Sequence, residues 1–139
     1  MKKLFVVIVA LFVAVAASAQ EKVYCELVGV QGLFTKKFNI SVDFGQQSKL
    51  FSNEALVDEK GRAISFNSMV DAMNYMSKHG WEFEQAYIVT IGSDSTASHY
   101  YHWVLSKVID EKGDTDPLKT VQMVKDAAKA EAAKAESAD

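Results

Sequence analysis

Between Lys37 and Phe44 the chain alternates strictly: Phe38, Ile40, Val42 and Phe44 are apolar, while Lys37, Asn39, Ser41 and Asp43 are polar. Successive side chains of a strand point to opposite faces, so this pattern predicts one buried and one wet face. That is the mark of an antiparallel sheet rather than of a parallel one covered on both sides. Residues 22–30, rich in β-branched and apolar types and broken by Gly29 and Gly32, predict a strand before it. After a polar loop over 45–53, residues 55–58 and 62–66 flank Glu59-Lys60-Gly61. The glycine supplies the positive φ that a short hairpin turn needs, so two further strands are expected there.

At Asn67 the period lengthens from two to about 3.6 residues. Ser68, followed three positions later by Asp71, has the form of a capping box, in which hydroxyl and carboxylate satisfy the unpaired amides of a helix start. Met69, Ala72, Met73 and Met76 form a stripe, with Val70 beside it, and this stripe reads as core packing. Lys78 and His79 place cations at the helix C-terminus, and Gly80 ends it. Residues 81–91 and 99–109 then predict a second hairpin around a small polar loop, with room for a bulge at Gln85. The expected fold class is α+β: a twisted, mostly antiparallel sheet of about five or six strands in the order β-β-β-β-α-β-β, with one helix packed on one face.

The two ends of the chain differ from this pattern. Met1-Lys2-Lys3 precedes an apolar and small-residue run over 4–17, and Ala17-Ser18-Ala19 stands before Gln20. Positive flank, short apolar core and small-residue cleavage site make a secretory signal peptide over 1–19, cut after Ala19. The run is shorter than the roughly 20 residues of a bilayer span, so no membrane anchor is expected to survive cleavage; in the precursor, 4–17 is expected as a helix detached from the core. The expected location is periplasmic or extracellular. At the other end no aromatic residue follows Trp103, and alanine, lysine and acids dominate from Lys125. A domain over 20–112 and a charged helical tail over 113–139 are therefore expected, with Asp116-Pro117 as cap and first turn of the tail helix.

Charge and cysteine count narrow the function classes. Loss of Lys2 and Lys3 with the signal moves the formal net charge from −3 to −5, and no basic patch remains for a nucleic acid. Cys25 is the single cysteine, so no internal disulfide can form and an apolar core must hold the exported domain together. Cys25 itself reads as a small buried hydrophobe.

Candidate chemistry is sparse. His99 and His102 are three apart, which on a strand sends their rings to opposite faces and rules out a metal pair. Glu82 and Glu84 share a strand face and are the only carboxylates with the look of an acid/base pair; a wet sheet surface carries the same decoration. No nucleophile elbow or phosphate-cradling glycine loop is found. The aromatic run Tyr100-Tyr101-His102-Trp103 splits by alternation: if Tyr101, Trp103 and Leu105 pack under the helix, Tyr100, His102 and Ser106 face outward. Tyr100, His102, Glu82 and Glu84 thus define the candidate ligand surface, and no residue is assigned to catalysis, a cofactor or a metal.

Met73-Asn74 followed by Gly80-Trp81-Glu82 resembles the Leu-Asn and Gly-Trp-Glu-Leu signature of a widespread small bacterial domain of unknown function. With Val42-Asp43-Phe44-Gly45 and Phe66-Asn67-Ser68, the chain also looks like uncharacterised exported proteins of Bacteroides-type bacteria. The resemblance implies a helix-then-strand unit with Trp81 anchored under the helix; Phe83 stands where the signature has leucine. The expected function is an exported, non-catalytic binding or protein-interaction module of the cell envelope, its partner an envelope protein or glycan. A small glycan hydrolase using surface carboxylates and a structural homo-oligomer joined at a sheet edge are the alternatives.

Overall fold

The computed structural model describes residues 21–31, 38–47, 52–93, 96–110, 112–115 and 117–136. The expected signal peptide, its cleavage site and the helix over 4–17 lie outside the described residues. The elements are β1 (Glu21–Gln31), β2 (Phe38–Asp43), α1 (Met69–Lys78), β3 (Glu82–Ile91), β4 (Ser98–Ile109) and α2 (Val121–Glu136). The strands form one antiparallel sheet in the order β2-β1-β4-β3, so the α+β class and the antiparallel sheet are as the patterning predicts.

The alternation in β2 does what its period demands. Ile40 and Val42 are buried, Phe38 and Phe44 pack partly buried against the core, and Asn39 and Asp43 are exposed. Register carries the same face across the sheet: Leu27 lies between Val42 and Trp103, and Cys25 pairs with Leu105. On this inner face sit Met69, Ala72 and Met76 of α1 and the buried Trp81. The indole packs 5.7 Å from the Phe44 ring, and its backbone N–H donates to Met76 O. Gly29 is the point of closest approach: a Cβ there would meet Met69 Sδ at 2.1 Å, so only glycine lets the first turn of α1 land on β1.

The start and end of α1 follow the expected chemistry. Ser68 Oγ accepts from Asp71 N at 3.1 Å and caps one orphan amide, while Asp71 Oδ2 accepts from Asn67 N at 3.0 Å, one residue before the N-cap. Gly80, with φ of 83°, turns the chain out of the helix and into β3. Val70 points to solvent beside the buried stripe.

Among the described residues the sheet has four strands rather than five or six, and the expected strand order is corrected accordingly. The turn at Glu59-Lys60-Gly61 is present: Asp58 Oδ1 accepts from Lys60 N and Arg62 N, each at 2.9 Å, and Gly61 has φ of 73°. Its two limbs do not build a ladder, because their backbone groups are shared among three partners. Val57 bridges Ala63, Leu56 bridges Thr120, and Phe66 bridges Phe38. Each pairing lasts a residue or two before the chain leaves for another neighbour.

Packing also continues beyond residue 112. Lys119 O accepts from Val57 N, Ala55 O from Val121 N, and Asn53 O from Gln122 N, while Thr120 is wholly buried. This extended pairing delays the tail helix. It begins at Val121, not at Pro117, and Thr120 caps it: Oγ1 accepts from Met123 N at 3.3 Å and donates to Glu54 Oε2 at 2.9 Å. The expected cap at Asp116-Pro117 is thus corrected, Asp116 itself lying outside the described residues. No residue of α2 is buried, and its Ala-Lys-Glu sequence is helical by intrinsic preference rather than by packing.

Candidate functional site

Residues opposite the core form an outer sheet face, and all four residues of the candidate surface belong to it. Register pairs Tyr100 with Val30 and Val89, His102 with Val28 and Tyr87, and Glu82 with Ser106. Glu84 occupies a bulge between Phe83 and Gln85, and the extra residue leaves its carboxylate on the side of Glu82. Tyr101, Trp103 and Leu105 take the inner face: Leu105 is fully buried, and Tyr101 and Trp103 pack partly buried against the core. His99 lies on that inner side, its Nδ1 2.9 Å from Thr90 Oγ1, so the two strand histidines are on opposite faces.

Two polar clusters cross the outer face. In the first, Glu84 Oε1 accepts from Lys22 Nζ and from the buried Ser106 Oγ. Lys22 and Ser106 together hold the Glu84 carboxyl below its ordinary range, and the same hydrogen bond raises the Lys22 ammonium above its own. In the second, Glu26 Oε1 accepts from Tyr87 Oη, which raises the phenol, and lies 3.2 Å from His102 Nδ1 in a geometry outside that of a hydrogen bond. The His102 and Tyr87 rings stack at 4.7 Å and 11°. Both clusters tie β1 and β4 to β3.

This arrangement decides what the outward residues can do. A general acid in glycoside hydrolysis needs a raised pKa, whereas Glu84 is held ionised and its oxygen is already engaged. Glu84 is therefore unsuited to the general-acid role. His102 is covered by Tyr87 and Glu26, so the expected binding pair of Tyr100 and His102 separates. Tyr100 lines, with Val28 and Val30, a cavity of about 560 Å³ beside β2 and the segments 52–55 and 63–66, and His102 does not. The residues that sequence reasoning passed over are Lys22 and Glu26; they share one parity on β1 and meet the outward residues of β4, Ser106 among them, a signal legible only once the β1–β4 register is known.

Strand β3 is the largest departure from a settled surface. All ten of its residues are exposed, and none joins the core cluster. Phe83, Tyr87, Ile88, Val89 and Ile91 all stand out as exposed large hydrophobics. Its far edge has no pairing partner among the described residues. α1, at ten residues about 15 Å long, touches β3 as well as β2, yet it buries no residue of β3.

The buried Cys25 thiol is pushed up to about 12, first by burial and then by the neighbouring Asp43 carboxylate, which removes it as a nucleophile at neutral pH. Among the described residues no cluster of three or more His, Cys, Asp or Glu could hold a metal ion, and no helix is long and apolar enough to cross a membrane. No protein-family model matches the chain, and neither a curated protein nor a solved structure matches it. The described residues form an α+β fold in which the β3 edge of the sheet has no partner among them.

Proposed function

We propose that the chain is an exported, non-catalytic interaction module of the cell envelope, and that strand β3 is its contact surface. The observation carrying this reading is the exposure of β3 on both faces at an unpaired sheet edge. Such an edge offers a row of unpaired backbone groups to any extended partner, and natural sheets blunt or cover it. Here the blunting is partial: the acids Glu82 and Glu84 and the bulge protect the first three positions only.

A protein partner is favoured over a glycan. Sugar recognition needs free aromatic faces, and two of the outer rings, Tyr87 and His102, are stacked on each other. For the hydrolase alternative, Glu84 held in its charged form is unsuited to the general-acid role.

The test is a photo-crosslinking phenylalanine analogue placed at Val89 in the exported chain, with Lys60 in the 58–62 turn as control position. The reading expects adducts of defined mass from position 89 and none from position 60. Absence of any adduct at 89 would overturn it, and mass spectrometry of the exported chain checks cleavage after Ala19 in the same experiment.

A further inference from the structure

Gln85–Ile91 is the stretch of β3 left unprotected. It reads Gln-Ala-Tyr-Ile-Val-Thr-Ile: seven residues with no charge, no proline and strong strand preference. The bulge and the two glutamates stop regular pairing on its N-terminal side, and Gly92, with φ of 97°, stops it on the other. What remains is a short, regular, uncharged ladder edge with defined ends.

Resting on the reading of β3 as the contact surface, we infer that its occupant is a second copy of this chain, joined antiparallel through β3 about a two-fold axis normal to the sheet and centred on Ile88. Such an axis keeps inner faces on one side and makes one residue meet its own counterpart. Centring on Ile88 uses all seven residues. Tyr87 then stands opposite the second copy's Val89, an aromatic against a β-branched side chain, Ala86 opposite Thr90, and Gln85 opposite Ile91. Glu84 falls opposite Gly92, outside the ladder, so no carboxylate faces another although the chain as a whole is acidic.

Charge argues for this occupant over an unrelated protein. The edge carries nothing by which a charged partner would be selected, and its neutrality is what allows two acidic copies to approach. Area is consistent with a reversible dimer. Within Gln85–Ile91, Tyr87, Ile88, Val89 and Ile91 are 43, 59, 39 and 59% exposed. At roughly 150–250 Å² for a wholly buried aromatic, and less for the aliphatics, they offer on the order of 300 Å² per copy before the backbone is counted. That lies below the small end of stable interfaces, about 600 Å² a side, as for a weak, reversible association.

The experiment is sedimentation velocity of the exported full chain across about 1 to 200 μM, with Ile88→Lys, Ile88→Glu and their equimolar mixture, each checked for folding by circular dichroism. Ile88 is solvent-exposed and outside the core cluster, so both variants keep the fold. The inference expects a concentration-dependent dimer in the parent, monomers in each variant alone, and recovery of dimer in the mixture, where lysine meets glutamate. A parent that stays monomeric at every concentration overturns it, as does a dimer that survives in both single variants. If the Val89 crosslink is to another protein, or to a segment of the same chain, this inference fails while the first outcome leaves the interaction-module reading standing. No crosslink at all removes both.

Discussion

Replacing Gly29 by alanine adds a single methyl group at the place where α1 lands on the sheet. The new Cβ would stand 2.1 Å from Met69 Sδ and 3.4 Å from its Cγ and Cε, and Met69 is the first residue of α1 and buried. A carbon–sulfur approach of 2.1 Å cannot be absorbed by small shifts, so the thioether must swing out of the core or the first turn of α1 must lift. Losing a methionine's burial costs about 1.5–3 kcal/mol, and overpacking of this kind about 1–3. The alanine returns about 0.4–1 kcal/mol by restricting the unfolded chain. The expected net loss is about 1–2 kcal/mol, measured by urea denaturation with Trp81 and Trp103 fluorescence and far-ultraviolet dichroism as probes. In a Met69→Ala background, itself about 2–5 kcal/mol less stable, the added methyl enters the vacated space and the Gly29→Ala cost falls to near zero. A Gly29→Ala cost that is the same in both backgrounds would refute the proposed contact.

Three further outcomes follow from particular contacts. Ser68→Ala removes the acceptor for Asp71 N and should cost about 1 kcal/mol, whereas Ser68→Asp keeps it and should cost little; thermal melts separate the two. Cys25 should be inert to a thiol reagent at pH 8 in the native protein and react at once in urea. Because its folded value, about 12, lies above the ordinary 9.0, its contribution to stability is whole below about pH 9 and is lost between pH 9 and 12; removing it with Cys25→Ala should flatten that limb. Glu84 has the opposite sign, its carboxyl held low, so its contribution is present above the ordinary carboxylate range and is lost as pH falls below it. Glu84→Gln should therefore reduce the acid-limb slope of a stability-against-pH curve while leaving the far-ultraviolet spectrum unchanged.

Local patterns decided what local physics can decide. The alternation from Phe38 to Phe44, the Ser68–Asp71 cap, the Met69–Ala72–Met76 stripe and the Gly80 stop are each encoded within a few residues, and each is found as patterned. The parity split of Tyr100 and His102 from Tyr101 and Trp103 follows in the same way from the geometry of a strand. Residues 55–58 and 62–66 carry a hairpin's turn chemistry and hydrogen-bond each other beside the turn, yet farther from it the limbs turn to β2 and to 119–122. Which partner takes an extended segment depends on distant chain, and no local pattern encodes it. The same reason hid the meaning of β3. Periodicity reports which side chains share a face, not whether anything covers that face. Strand order places β4 inside and β3 at the edge, where no residue of β3 is buried. Sequence alone therefore determined the elements, their faces and the chemistry of their ends. The tertiary structure decided which strand keeps an open edge, because that is settled by pairing between residues far apart in the chain.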